Sequence, residues 1–487
     1  MTTKVLGFFK RDRTLSIALG IFFTGFFLRI YKFYDFVTYL GDQGRDAIVL
    51  KRILTLEHFP AIGAPTSVGQ VYLGPFYYYF IAPWLWLSNF NPVGPAVGVA
   101  FFSSLYVLIN YLLIKDLFGR KTALISSALI AFSAVLIELS RFSWNPNLLP
   151  LFTLLLVYST IKAVQTHRKI FYLLAGAFLS LTIQLHYLAL FLAMPVAVIF
   201  LWDLLENKKE IGLGIKKVLM SFGSFLFFSS PLLVFDLRHD FLNSKNFIKL
   251  FQESSPGTSS NKLEGLFQTF FTLNQHVFQT PLEALLLGIL LVIFTALFFL
   301  QIKTNRKLSY VSLFFLLSLF GLSLYSGPKH PHYYGTVYPL YFILISYLLA
   351  NLLKTKIFIP IFLLFVAAYV FFNSQSYHYF YDQGSDQITK AQVIARAIKD
   401  SVTKEKFVVT ALPNQYSDST YRYFLEVWGK RALEKDSIEP SQELFVICEG
   451  ECKPIGDPQW DIAFFKPKKV EEKRLILPHI TMYRLSN

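Results

Sequence analysis

Residues 14–30, TLSIALGIFFTGFFLRI, hold one charge, Arg29, close to their end, and residues 281–300, PLEALLLGILLVIFTALFFL, hold one, Glu283, close to their start. Each is near the ~20 residues that a helix needs to cross ~30 Å of hydrocarbon. The whole chain of 487 residues reads the same way: 54% hydrophobic, 17% aromatic and only 16% charged, with a mean hydropathy of +0.46. Length alone would allow three soluble domains, but this composition requires bilayer as the solvent. Lys10-Arg11-Asp12-Arg13 flanks the first stretch and no small-residue cleavage site follows, so the stretch is expected to remain as an anchor.

The net charge of +15 does not point to nucleic acid, because the basic residues stand in short runs between apolar segments. Such runs set topology: cations are disfavoured in short translocated loops. Spans at about 14–31, 94–114, 122–139, 148–164, 170–186, 188–205, 217–235, 281–301, 309–325, 335–352 and 356–373 make about eleven transmembrane helices. They put Lys115/Arg120/Lys121, Lys162/Arg168/Lys169, Lys208/Lys209/Lys216/Lys217, Lys303/Arg306/Lys307 and Lys354/Lys356 on the cytoplasmic side, together with the N-terminus. The fold class expected is an all-α polytopic membrane protein with a small C-terminal α/β domain.

Two domains follow: 1–373 in the membrane, with 32–93 as one large exported loop, and 374–487 as an extracytoplasmic soluble domain. Within the loop, Phe76–Leu87 is bounded by Pro75 and the Asn89-Phe90-Asn91-Pro92 turn, and crossing would turn the later basic clusters outward, so it is expected to lie at the interface. In the tail, Asp386–Lys399 and Ser419–Trp428 have helical patterns, while Phe407–Thr410, Leu444–Ile447, Ile462–Phe465 and Ile480–Tyr483 resemble short strands. Cys448 and Cys452, four residues apart, allow a local disulfide or none, and an oxidising exterior would permit it.

Five polar clusters fall on the exported side. Gly41-Asp42-Gln43-Gly44-Arg45-Asp46 places two carboxylates and a guanidinium within about one helical turn, followed by an amphipathic stretch (Ile48, Leu50, Ile53, Leu54, Leu56 with Lys51 and Arg52) that could lie flat on the membrane. The others are Ser140-Arg141 through Asn145 to Asn147; Gln184 with His186 and Tyr187; Asp236-Leu237-Arg238-His239-Asp240; and Lys329-His330-Pro331-His332-Tyr333-Tyr334. Each has a plain structural explanation: Asp42 caps its helix with Arg45 and Asp46 as a solvated pair, Asn-Pro makes a turn, and interfacial histidines are hydrogen-bonded. Their common side is what makes them candidates. A carboxylate can act as base, with Asp42 preferred to Asp46. Arg45, Arg141, Asn145, His186, Arg238, Lys329, His330, His332 and Tyr333 can bind an anionic, membrane-tethered substrate. Histidine and acidic residues could also hold a divalent ion, but no ligand spacing indicates one.

Asp42 after the first span, Gly74-Pro75-Phe76-Tyr77-Tyr78-Tyr79 opening the interfacial helix, and Ser140-Arg141 through Pro146 resemble the membrane-embedded C-type glycosyltransferases, the group of the protein O-mannosyltransferases and the lipid A aminoarabinose transferase. The resemblance covers about residues 14–350. It implies inverting transfer of a sugar from a polyprenyl-phosphate donor to an acceptor hydroxyl on the extracytoplasmic face of a plasma membrane, with Asp42 in the place of the family's catalytic base or acceptor-orienting group. The chain departs from that pattern twice: Asn145 and Asn147 stand where many members have an acid, and Leu73-Gly74 precede Pro75 where a lysine is usual. A secondary transporter would instead place ionisable groups at span centres in repeated halves, and a scaffold would tolerate loss of Asp42.

Overall fold

The computed structural model describes residues 13–66, 71–253, 262–280, 283–325, 327–413, 417–435 and 437–487. Part of the basic flank (10–12) and the first residues of the eighth span (281–282) lie outside them. Among the described residues, seven helices are long and apolar enough to cross a membrane: Arg13–Ile30, Val93–Phe118, Asn145–Thr166, Tyr187–Glu206, Lys208–Arg238, Arg306–Ser323 and Lys356–Ser374. Three shorter apolar helices, Lys169–Leu185, Leu286–Leu300 and Tyr338–Leu352, join them. The expected third span is broken into Arg120–Phe132 and Ala134–Leu139. The chain is a multi-pass membrane protein.

The break at Ser133 would leave four carbonyls unpaired in an apolar bundle, where no water can serve them. Each has a partner. Tyr369 Oη donates to Leu129 O at 2.8 Å, Arg29 Nη2 to Ile130 O at 3.2 Å, Arg29 Nη1 to Ala131 O at 3.2 Å, and Tyr377 Oη to Phe132 O at 2.6 Å. The Ala134 amide donates to Asn373 Oδ1 at 2.7 Å. The single charge of the first span, Arg29, is therefore fully buried as a structural tie. Replacing it with Met should lower stability by about 2–4 kcal/mol, since two carbonyls lose their donors. Thermal unfolding in detergent would read this as a lowered midpoint, and an unchanged midpoint would refute the accounting.

The non-spanning helices are α1 (Gly41–Leu54), α2 (Phe76–Leu87), α3 (Leu242–Glu253), α4 (Lys262–Phe278), α5 (Gln387–Ser401), α6 (Asp418–Val427) and α7 (Trp460–Phe465). Twelve residues of α2 extend only ~18 Å, too short to span. The α1 helix does not rest its apolar face on the membrane as expected: Ala47, Leu50 and Ile53 are buried within protein, against α2 and α6. Helix α4, between the expected seventh and eighth spans, buries Phe270, Leu273 and Val277 in the bundle.

The tail forms a four-stranded sheet of order β1-β2-β4-β3, from β1 (Phe407–Leu412), β2 (Glu443–Glu449), β3 (Lys469–Leu477) and β4 (Ile480–Ser486). β1 and β2 pair in parallel, and the other pairs are antiparallel. The stretch Ile462–Phe465, expected as a strand, is part of helix α7, whose first-turn Asp461 accepts from Thr410 Oγ1 at 2.8 Å. Four apolar residues fit either period, and this buried anchor decides for helix. Cys448 and Cys452 are joined by a disulfide.

The basic loops lie at the other end of the bundle. Lys162 pairs with Asp116 at 3.0 Å, Arg306 with Glu206 at 2.5 Å, and Lys307 donates to Leu117 O at 3.2 Å. The tail domain covers the end that carries α1 and α2.

Candidate functional site

Helix α1 begins at Gly41, so Asp42 falls in its first turn, where a carboxylate is favoured by the unpaired amides and the helix dipole. Its side chain is half exposed and faces a cavity of about 610 Å³. Asp42, Arg45, Asn145, His186, His330 and Tyr333 line it, drawn from four separate segments, and His332, Trp144 and Tyr187 complete its polar and aromatic surface. The remaining wall is two backbone-paired segments, 63–66 and 71–73, in which Gly63 N donates to Leu73 O at 2.7 Å and Leu73 N to Ala64 O at 3.0 Å.

Arg45 joins the two acids: its Nη1 lies 2.8 Å from Asp42 Oδ1 and its Nη2 2.8 Å from Asp46 Oδ1. Asp46 is buried and also accepts from Tyr78 Oη at 2.9 Å. Burial pushes its carboxyl above the usual aspartate value, and the Arg45 charge and hydrogen bond pull the other way without cancelling the effect. Burial works against the Arg45 charge, but the Asp46 and Asp42 carboxylates outweigh it and hold the guanidinium above its ordinary value. Asp46 is thus placed behind Arg45 and does not line the cavity, while Asp42 does.

On the far wall His332 packs on Trp144, ring centroids 4.4 Å apart, and stacks with His330. Burial and then the neighbouring His330 lower the His332 value to about 4, so near neutral pH its ring is an uncharged hydrogen-bonding group. His186 Nδ1 accepts from Leu188 N at 3.3 Å, which fixes the proton on Nε2 and makes that atom a donor. Asn145 Nδ2 donates to Leu185 O at 2.6 Å, tying the third-to-fourth-span turn to the end of the fifth span.

Two of the expected anion-binding cations lie elsewhere, and a third, Lys329, is the chain neighbour of the cavity-lining His330. Arg141 is buried, donating to Leu28 O, Arg29 O and Tyr31 O at 3.1, 3.0 and 2.8 Å, with its guanidinium 4.1 Å from the Tyr379 ring centroid. It closes the end of the first span and does not face the cavity. Arg238 is exposed at the end of the seventh span, away from the cavity lining. Lys329 is half-buried beside His330, and burial lowers its value from the usual lysine range. Two groups have roles that their place in the sequence does not indicate. Tyr78 is legible only once α2 is known to lie on α1. Gln184, named only as part of a cluster, accepts from Phe76 N at 3.3 Å and donates to Phe228 O at 2.8 Å, so it fixes the start of α2. A Cβ at Gly74 would collide with it. Among the described residues no three His, Cys, Asp or Glu come together in a way that could hold a metal ion.

The structure is similar to that of ArnT from Cupriavidus metallidurans, solved bound to undecaprenyl phosphate, with a TM-score of 0.61 at 13% identity over 97% of both chains. The fold is that of the C-type membrane glycosyltransferases. The C-type fold extends to a second match: the archaeal oligosaccharyltransferase AglB from Archaeoglobus fulgidus, solved with an inhibitory peptide and a dolichol-phosphate, has a TM-score of 0.52 at 14% identity over 90% of this chain and 70% of that one. By sequence, residues 73–234, which include α2 and the Asn145 and His186 segments of the cavity, match the family model of dolichyl-phosphate-mannose-protein mannosyltransferases. No curated protein matches the chain by sequence.

Proposed function

We propose that the chain is a membrane glycosyltransferase that moves a sugar from a polyprenyl-phosphate donor to an acceptor hydroxyl, with inversion, on the extracytoplasmic face. The observation that carries this is the half-exposed Asp42 carboxylate, held by Arg45 at the mouth of an aromatic and imidazole-lined cavity in a C-type fold. The family-model match over 73–234 supports the reaction class. The gathering of basic loops at the opposite end supports an extracytoplasmic position for the cavity and for the tail. On this reading the chain divides at residue 373 into a membrane domain and an exported one.

The chemistry requires few parts. An acceptor oxygen attacks the anomeric carbon, its proton passes to Asp42, and the bond from that carbon to the phosphate oxygen breaks, releasing the lipid phosphate. Arg45 keeps the Asp42 carboxylate directed at the cavity. Positive charge for the leaving phosphate is assigned to Lys329, with a hydrogen bond from His330, because Arg141 is committed to backbone carbonyls. Uncharged His332 and His186 suit hydrogen bonds to sugar hydroxyls, and Trp144 and Tyr333 offer faces for a sugar ring.

Purified protein supplied with a panel of polyprenyl-phosphate sugars should release polyprenyl phosphate from at least one of them. Folded protein that consumes no member of the panel, with or without added acceptor extracts, would remove the proposal. Lys329→Met should raise the donor KM by about tenfold, as loss of one charge-assisted contact to phosphate predicts. A KM equal to that of the wild type would exclude Lys329 from the phosphate site.

A further inference from the structure

The exported tail makes its densest contact with the membrane part on α1 itself. Arg52, in the last turn of α1, forms a two-point contact with Glu426 of α6: Nε to Oε1 at 2.9 Å and Nη2 to Oε2 at 2.8 Å. Lys51 Nζ lies 3.4 Å from the same carboxylate, and Arg52 Nη2 is 2.7 Å from Glu434 Oε1. Glu426 is buried. In the middle of α1, Gly44 meets α6 backbone to backbone: a Cβ built there would stand 2.5 Å from Thr420 N and 2.6 Å from Ser419 C. At the entry to α1, Tyr39 N donates to Gln387 Oε1 at 2.7 Å, and Asp386 N donates to Asp35 O at 3.0 Å. The tail therefore grips α1 at both ends and at its centre.

We infer that the C-terminal domain positions the candidate catalytic helix: Glu426, acting through Arg52 and Lys51 and aided by the close approach at Gly44, sets where α1 sits and so where Asp42 and Arg45 meet the cavity. This rests on the reading of Asp42 as the base. A fork-to-fork arginine–carboxylate contact defines angle as well as distance, which a single flexible ammonium would not. Ten residues of helix separate Arg52 from Asp42, ~15 Å along the axis. Glu426 does not line the cavity, so any effect of it on turnover must pass through the placement of α1. Glu426 is thus a positioning residue, and so is Gly44, since any side chain there pushes α1 off the domain.

The test uses the full-length protein with Glu426→Gln, which keeps shape and loses charge, and Gly44→Ala, which acts as a steric wedge. Glu439→Gln is the control, because Glu439 pairs with Lys406 in an exposed ion pair of the same domain. Hydrogen–deuterium exchange reads helix placement without any turnover. The α1 amides of both variants should exchange faster, by about tenfold or more, and those of the control should not change. In the transfer assay kcat should fall by about tenfold while the donor KM stays within about twofold, since misplacement of a reacting group acts on the chemical step. Wild-type exchange on α1 in both variants would overturn the proposal, and so would exchange that rises across β1–β4 as much as on α1. If the wild-type chain transferred no sugar, the catalytic reading would fall alone, and exchange would still decide whether the tail positions α1.

Discussion

The Asp42→Asn protein should fold, bind the donor and transfer sugar about 10³-fold more slowly than the wild type. The substitution keeps the shape of the side chain, and the amide oxygen can still accept from Arg45 Nη1, now 2.8 Å from Asp42 Oδ1. What is lost is the capacity to take a proton from the attacking hydroxyl. The expected loss is therefore in kcat, with donor KM within about threefold, because an interaction made only in the transition state does not change ground-state binding. Single-turnover release of polyprenyl phosphate would measure it. Equal rates in both proteins would remove Asp42 from the mechanism and return it to the role of a helix cap. A loss shared equally between kcat and KM would place it in donor binding instead.

Much of the membrane architecture could be read from the sequence, because hydrocarbon imposes a length and a polarity that few other constraints override. The positions of the spans, the short α2 and three of the four suggested tail strands follow from that and from alternation. Charged residues were harder, since their surroundings depend on the bundle. Arg141 stands in a polar turn and resembles a ligand for phosphate, yet the end of the first span needs a donor for its carbonyls, and this arginine is within reach. Arg29 went unweighed for the same reason: its partners are created by a break at Ser133 that no local signal announces. Helix α4 mixes Gln268, Thr269, Asn274 and Gln275 with phenylalanines, so it has neither a spanning hydropathy nor a plain turn signature, and only its neighbours make it helical. The strand β3 carries four consecutive charges, Glu471-Glu472-Lys473-Arg474, and is mostly exposed, so it shows no alternation; it is an edge strand whose partner β4 supplies its order.

The site itself was partly legible. Asp42, Arg45, Asn145, His186, His330, His332 and Tyr333, from four of the five polar clusters, line one cavity. What the sequence could not give was rank within the acidic cluster. Asp42 and Asp46 are four residues apart on one helix, and only the packing of Tyr78 over Asp46 separates a group facing the cavity from a buried one.

That burial makes Arg45 the residue whose loss should cost most stability. With Arg45→Met, Asp46 keeps the Tyr78 hydrogen bond but loses its counter-charge, and its Oδ2 already has no hydrogen-bond partner among the described residues. Breaking a buried pair on one side costs about 3–5 kcal/mol. The pH dependence has a definite sign. Burial already places the Asp46 carboxyl above its unfolded value despite Arg45, and removing the guanidinium moves it further up. A carboxyl raised in the folded state holds its proton more tightly there, so its contribution is complete at low pH and is lost as pH rises through the folded value. The instability of Arg45→Met should therefore be small near about pH 5 and large near about pH 8, as thermal midpoints in detergent would show. Adding Asp46→Asn removes the buried charge and should recover most of the lost midpoint at the higher pH. Transfer by the double variant should nonetheless stay about 10²-fold below wild type, since Asp42 remains without the partner that orients it. A deficit equal at both pH values, or a double variant no more stable than the single one, would mean that Asp46 is not the buried charge that Arg45 neutralises.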